Sequence, residues 1–358
     1  MRYIGGKTNL LNDIGTAITT FAPNTRTVID IFSGSGAVSA YLKSNHYNII
    51  GNDFMYFSYV LSRGTTALDH VPNFERLGIH DPIKYLNSLR FEDAGISIEE
   101  CFIYNNYSPH GDVKRMYFQN KNAIKIDIIR ITIERWKNNN RINEDEYFYL
   151  LGALIAVVPF VSNITGVYGA YLKHWDARTY NPLELKHPAL INGGQAVFFN
   201  KNCDVLLSED KIEADLLYAD PPYNSRQYLP NYHVLETIAK YDNPPIHGVT
   251  EMRDYQEQRS DFCTVRGVKN AFRRMIENAK VRYVLISYNN EGLLTTEELT
   301  DICKEYALPN TFYLQEINYR RYNNAGTAPG GVKEQLYFFV NSRRNYDIRQ
   351  ISFELYWR

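Results

Sequence analysis

The sequence has almost no surplus of either charge. Its 39 Lys and Arg residues face 40 Asp and Glu, for a formal net charge of -1. A nucleic-acid-binding chain often carries a basic surplus, so any positive surface here must be local. Cysteines are few. Cys101, Cys203, Cys263 and Cys303 lie far apart in the chain, which excludes a cysteine-based zinc pattern and leaves free thiols of a reducing compartment as the default. The eight histidines show no ligand spacing. No apolar run approaches the roughly 18 residues of a membrane span. The first residues, Met1 to Lys7, lack the apolar core of a signal peptide, so the chain is expected in the cytoplasm. No internal repeat is evident. What is present is the composition of a globular protein with a substantial core, 44% hydrophobic and 22% charged over 358 residues.

The most informative stretch is Leu216-Leu217-Tyr218-Ala219-Asp220-Pro221-Pro222-Tyr223. A short apolar run fits a buried parallel strand. The proline pair ends it, because proline cannot donate to the ladder and forces its predecessor to be extended. Asp220 is thereby placed at the carboxyl end of a strand, the edge at which open α/β sheets bind ligands. Upstream, Thr27 to Phe32 reads as a β-branched strand running into Ser33-Gly34-Ser35-Gly36 and a helix from about Ala37. Such a turn lets backbone approach a bulky ligand. The third glycine of the dinucleotide fingerprint is missing, since Ser39 stands in its place. Asp30, an acid ending the strand before the turn, favours a methyl-donor site over a dinucleotide site. A second strand, Asn48 to Asn52, ends in Asp53, about 20 residues past the turn, where an acid bonds a ribose hydroxyl pair.

The α/β rhythm breaks over residues 62–195. From Val113 to Arg141, eight basic residues (Lys114, Arg115, Lys121, Lys125, Arg130, Arg135, Lys137 and Arg141) stand against Asp127 and Glu134. With Ile124, Ile128, Ile131 and Trp136 this predicts a helix with a positive exposed side. That side is a solvated face unless it points at the same cleft as Asp220, in which case it contacts phosphate. An apolar helix follows, over about Tyr147 to Phe160. Next, Ser162 to Trp175 interleaves glycine, tyrosine, lysine and tryptophan in a loop or hairpin suited to stacking and phosphate contact. The pattern resumes with a strand at Ala196 to Phe199 and a helical segment at Asp204, where that residue caps the helix or meets a nucleobase. Residues 224–265 read as a long polar loop beside the site. A helix over Arg266 to Ala279, a strand over Tyr283 to Ser287, a helix from Thr295 and a hairpin (Phe312 to Tyr322 with Glu334 to Val340, turning through 323–331) close the fold.

In this order, Tyr3-Ile4-Gly5-Gly6-Lys7, Asp30 to Gly36, Asp53 and Asp220-Pro221-Pro222-Tyr223 resemble the D12-class DNA adenine-N6 methyltransferases, including the restriction-associated members. The resemblance implies a class I methyltransferase fold, a Rossmann-like doubly wound sheet with a C-terminal antiparallel hairpin. It implies a catalytic domain of residues 1–61 and 196–345, an inserted target-recognition domain of 62–195 and a tail of 346–358. It implies S-adenosyl-L-methionine as methyl donor, no metal, and double-stranded DNA as partner. A cognate restriction endonuclease would act independently, and the protein would be a monomer or weak dimer of bacterial or phage origin. Carried over, Asp220, Pro221, Pro222 and Tyr223 are the catalytic residues. Tyr3, Lys7, Asp30, Phe32, Gly34, Gly36, Asp53, Asp204 and Asp220 bind the cofactor. Tyr168, Lys173 and Arg178 are the candidate DNA contacts. Two alternatives stay open: an RNA base methyltransferase sharing the Asp-Pro-Pro-Tyr motif, and a catalytically idle DNA-binding module.

Overall fold

The structure, a computed structural model, describes residues 6–209, 212–319 and 332–343. Tyr3, the hairpin turn 323–331 and the tail 346–358 lie outside the described residues. The strands are β1 (Thr27–Asp30), β2 (Asn48–Asn52), β3 (Ala196–Phe199), β4 (Leu216–Ala219), β5 (Ile246–His247), β6 (Met252–Arg253), β7 (Tyr283–Asn289), β8 (Tyr313–Tyr319) and β9 (Val332–Val340). The helices are α1 (Leu11–Phe21), α2 (Ala37–Ser44), α3 (Tyr56–Gly64), α4 (Pro82–Ser88), α5 (Phe102–Tyr107), α6 (Asn120–Asn138), α7 (Glu144–Val157), α8 (Cys203–Ser208), α9 (Leu229–Lys240), α10 (Val268–Asn278) and α11 (Thr296–Tyr306).

Seven strands form one sheet in the order β3-β2-β1-β4-β7-β9-β8. The first five are parallel. β9 pairs antiparallel with both β7 and β8. β4 and β7 are buried along their whole length, as expected of strands covered on both faces. One face carries α1 and α2 through Ile14, Ile18, Val38 and Leu42. The other carries α8, α10 and α11 through Leu206, Phe272, Met275, Leu299 and Ile302. Gly51 of β2 faces Phe198 of β3 in register, and a Cβ there would collide with that ring. Strand order reverses between β1 and β4, which places the switch-point crevice between their carboxyl ends.

A third core lies beyond the sheet. It joins Met55, Phe57, Val60 and Leu61 around α3 to the buried faces of α6, α7 and α9. Gly64 of α3 lies so close to the Phe148 carbonyl of α7 that it has no room for a side chain, and a Cβ at Gly152 would be a tight contact on Gly64. The expected boundary at residue 61 therefore falls inside α3, which shares one core with α6, α7 and α9. One further expectation is corrected. Residues 224–265 are not one long loop: they contain α9, buried at Leu229 and from Tyr232 to Ala239, and the short β5–β6 hairpin. Proline at the start of a helix occupies a position that needs no N–H bond, so Pro230 opens α9 instead of breaking it. The glycine- and tyrosine-rich stretch 162–175, expected as a loop or a hairpin, contains no strand and is a loop.

Candidate active site

The carboxyl ends of β1, β2 and β4 bring Asp30, Asp53 and Asp220 to one sheet edge. Asp30 is level with Tyr218 in the β1–β4 register, two residues before Asp220. A cleft with about 950 Å³ of empty space, part of it open to solvent, lies there. Lys7, Asp30, Phe32, Gly34, Asp53, Asp220 and Pro222 line it. Gly34 and Gly36 have φ of 51° and 77°, in the left-handed region that disfavours any residue with a Cβ. The Asp53 carboxylate holds this turn. Its Oδ2 accepts the Gly34 N–H at 2.7 Å and its Oδ1 the Met55 N–H at 2.8 Å. Each oxygen keeps a second lone pair for a hydroxyl donor.

Burial sets the electrostatics. It raises the Asp53 pKa to about 7 against the lowering effect of the two N–H bonds. It raises Asp30 to about 7 as well, with the Ser39 hydroxyl (2.6 Å from Asp30 Oδ2) opposing and the charge of Asp220 assisting. Asp220 is pushed up to about 6 by burial, with Lys7 lowering it and Glu334 raising it. The Lys7 ammonium lies 3.1 Å from Asp220 Oδ1 and 3.2 Å from Glu334 Oε2. Burial alone would lower the Lys7 pKa, but the two carboxylates outweigh it and hold it above its ordinary value.

Sequence reasoning missed several cleft residues. Phe54, Asn202, Gln227, Tyr228, Gln258 and Ser260 all line it. Gln227 and Ser260 exchange two hydrogen bonds, 2.8 and 3.1 Å long. The Gln258 amide donates to the Phe54 carbonyl and to Glu236. Gln227 and Tyr228 follow Tyr223 by only four and five residues, which was a usable signal. Gln258 and Ser260 sat in a segment read as loop and carried none.

Asp204 is corrected. It is neither the helix cap nor a lining residue of the cleft. Asn202 caps α8 by accepting the Asp204 N–H at 2.9 Å, and Asp204 turns outward to the Arg274 guanidinium at 2.9 Å. Tyr223 lies in the turn beside the cleft, with its carbonyl accepting the Leu293 N–H. Among the DNA candidates, Tyr168 is only 1% exposed, with its hydroxyl on Ser162 and its carbonyl accepting from Tyr117. The phenol is therefore part of the core. The Arg178 side chain donates to the Ile164 carbonyl. Lys173 is exposed. Their loop rests on the first turn of α9, where the Tyr168 N–H donates to the Asn231 carbonyl at 2.8 Å.

The basic α6 region is turned inward in part, with Arg115 and Arg130 buried and Lys114, Lys121 and Arg141 exposed. Lys125 donates to three carbonyls, those of Leu86, Asn87 and Leu89. Arg130 is 1% exposed and bonds the Ile238 and Ala239 carbonyls. Arg115 bonds Val249 and pairs with Glu251, and Arg141 bonds the Leu77 carbonyl. These cations tie the helices of this region to carbonyls of neighbouring segments.

A parallel sheet continued by an antiparallel strand inserted before the last, with a glycine turn and acids at the switch point, defines a class I methyltransferase. A family model for the D12 class of N6 adenine-specific DNA methyltransferases matches residues 3–302, and the chain belongs to that family. It is 42% identical to the Type II methyltransferase M.FokI of Planomicrobium okeanokoites, over 95% of this chain and 52% of that protein. It is 38% identical to the modification methylase StsI of Streptococcus sanguinis, over 96% of this chain and 52% of that one. With M.NlaIII of Neisseria lactamica it shares 35% identity over 90% of this chain and 92% of the relative. The chain spans about half the length of the first two.

Proposed function

We propose that this chain transfers methyl from S-adenosylmethionine to N6 of an adenine within a short sequence of duplex DNA. The observation that carries the reading is the meeting of Asp220 and Pro222 with Asp30, Asp53 and the glycine turn around one cleft. The cleft suits the donor. Asp30 Oδ1 and Ser33 Oγ are buried there without a partner among the described residues, and an unmet buried polar atom is costly unless a ligand meets it. An ammonium and a carboxylate on the ligand would satisfy them. Asp53 is the residue for the ribose hydroxyls, Phe32 and Phe54 for the apolar surfaces, and the Gly34–Gly36 turn for close backbone contact. Asn202 takes the place at the adenine end that the sequence had assigned to Asp204.

When bound, S-adenosylmethionine supplies a methyl group made electrophilic by a sulfonium sulfur. The chain activates the other reactant. The exocyclic amine of adenine is a poor nucleophile because its lone pair is delocalised into the ring. Asp220 accepts one amine N–H and the Pro221 carbonyl accepts the other. That pair favours a pyramidal nitrogen with a localised lone pair. As the N–C bond forms and the C–S bond breaks, the surplus proton on nitrogen passes to Asp220. Orientation and fixed charges supply the rate. A base inside a duplex cannot reach this cleft, so the adenine must be flipped out, and Tyr223 stacks on it for on the order of 1–3 kcal/mol. The inserted segment, with α9 as part of its core, is the target-recognition unit, and Lys173 is its candidate phosphate contact.

The test is filter-bound methyl transfer from labelled S-adenosylmethionine to adenine-unmethylated duplex DNA and to single-stranded RNA. Transfer to the duplex, abolished in Asp220→Ala with cofactor binding retained, supports the reading. Transfer to RNA alone replaces it with the RNA enzyme. Binding with no transfer to any nucleic acid replaces it with the idle module.

A further inference from the structure

Glu334 belongs to no sequence motif read above, yet it completes the charge network of the site. It sits on β9, paired with Asn289 on β7, and β7 pairs with β4, which leads into Asp220. The two carboxylate-bearing strands are thus two spacings, roughly 10 Å, apart. Lys7 bridges that gap. Its ammonium meets one oxygen of each carboxylate, so those oxygens lie no more than about 6.3 Å apart. Both Lys7 and Glu334 are about 95% buried. On Asp220, only Oδ1 meets the cation, and Oδ2 has no partner among the described residues.

An ammonium is a compact charge with three donors and no fixed fork. Left alone with one carboxylate, it would settle across both oxygens and block the acceptor that the adenine amine needs. A second buried carboxylate on the far side prevents this. We propose that Glu334 is a positioning residue for Asp220. It holds the Lys7 ammonium between the two strands, so that Asp220 keeps a neutralising cation on Oδ1 while Oδ2 stays open to the target amine. This rests on the function proposed above.

The groups facing Asp220 are Lys7 from the N-terminal segment, Glu334 from β9, Asp30 from β1, Tyr218 from β4 and Tyr228 ahead of α9. Glu334→Gln removes one negative charge from this set at nearly constant shape and releases Lys7 to Asp220. Lys7→Met removes the cation. The two changes therefore push the titration of Asp220 in opposite directions.

The experiment is a carbon-13 NMR titration of the free protein labelled at its aspartate carboxyls, with the Asp220 signal assigned by its loss in Asp220→Asn. In Glu334→Gln the midpoint should fall by at least about half a pH unit, and in Lys7→Met it should rise. Glu334→Asp, which keeps the charge but shortens the reach, should fall between parent and Gln, and it serves as the second variant where Gln is not tolerated. A midpoint unmoved or raised by Glu334→Gln overturns the proposal. In methyl transfer to duplex DNA, Glu334→Gln should lower kcat roughly tenfold or more, with KM for DNA and the cofactor Kd within about twofold of parent. A lower kcat with an unmoved midpoint makes Glu334 a structural residue only and also overturns the proposal. Failure of the parent to methylate DNA refutes the functional reading and leaves the titration to decide the geometry.

Discussion

Glu236 tests whether the cleft depends on the helical core that α9 shares with α3, α6 and α7. It is wholly buried on α9, and its carboxylate accepts the Tyr56 and Phe57 N–H groups at 3.1 and 3.0 Å. These belong to the first turn of α3, where helical N–H groups have no partner within the helix. The Gln258 amide adds a third bond at 2.8 Å. Glu236→Ala strands two buried N–H groups and one amide. Lys240, 3.2 Å away and partly exposed, turns to solvent at little cost. Removing one partner of such a buried, charge-assisted set costs about 3–5 kcal/mol, a sizeable share of the 5–15 kcal/mol typical of a folded domain. Melting should drop by about 5 °C. Glu236→Gln keeps one acceptor but turns an NH2 toward an N–H, so its cost is about 1–3 kcal/mol. The effect should reach the cleft, because Asp53 and Phe54 lead into α3 and Tyr228 into α9. Cofactor Kd, measured by calorimetry below the melting range, should rise about tenfold in Glu236→Ala. Melting within about 1 °C of parent together with an unchanged Kd would refute the reasoning.

Three further outcomes are expected. The acid limb of methyl transfer should lie near pH 6, because Asp220 titrates at about 6 and must be ionised to accept the amine N–H. Activity is then present above that value and falls about tenfold per unit well below it, whereas a flat kcat profile from pH 8 to 5 speaks against Asp220 as acceptor. Lys173→Ala should reduce the slope of log K against log salt for DNA by about 1, whereas Lys125→Met and Arg130→Met should leave that slope unchanged and lower melting instead; the reverse pattern in filter binding would make α6 the phosphate track. Gly36→Ala forces a side chain onto a φ of 77° and sets its Cβ 3.2 Å from Ser62 Oγ, so cofactor affinity should fall at a strain cost of about 1–2 kcal/mol. Unchanged affinity by calorimetry would show that the turn does not need its glycine.

The sheet edge was readable because its signals are local. β-branched strands, a glycine turn with a helix directly behind it, and acids at strand ends all sit within a few residues of one another. Asp30, Asp53 and Asp220 were therefore placed correctly before any distance was known. The signals that failed were those settled by distant partners. Lys125 and Arg130 read as a solvated positive face, since a cation's partner carbonyl 36 to 109 residues away leaves no trace in a periodicity. α9 is buried nearly all round, polar His233 and Glu236 included, so it shows neither an apolar stripe nor a clean apolar run. Tyr168 was placed by composition, and tyrosine is equally suited to stacking on a base and to filling a core. Glu334 was invisible because its meeting with Lys7 spans 327 residues and exists only through the β7–β9 register.

The most direct test of the central claim is transfer of labelled methyl from S-adenosylmethionine to genomic DNA that lacks adenine methylation, read out by single-molecule sequencing. N6-methyladenine confined to one short motif, absent with Asp220→Ala, is the predicted result. Methyl on RNA with none on DNA, or Asp220→Ala marking DNA as the parent does, would contradict it.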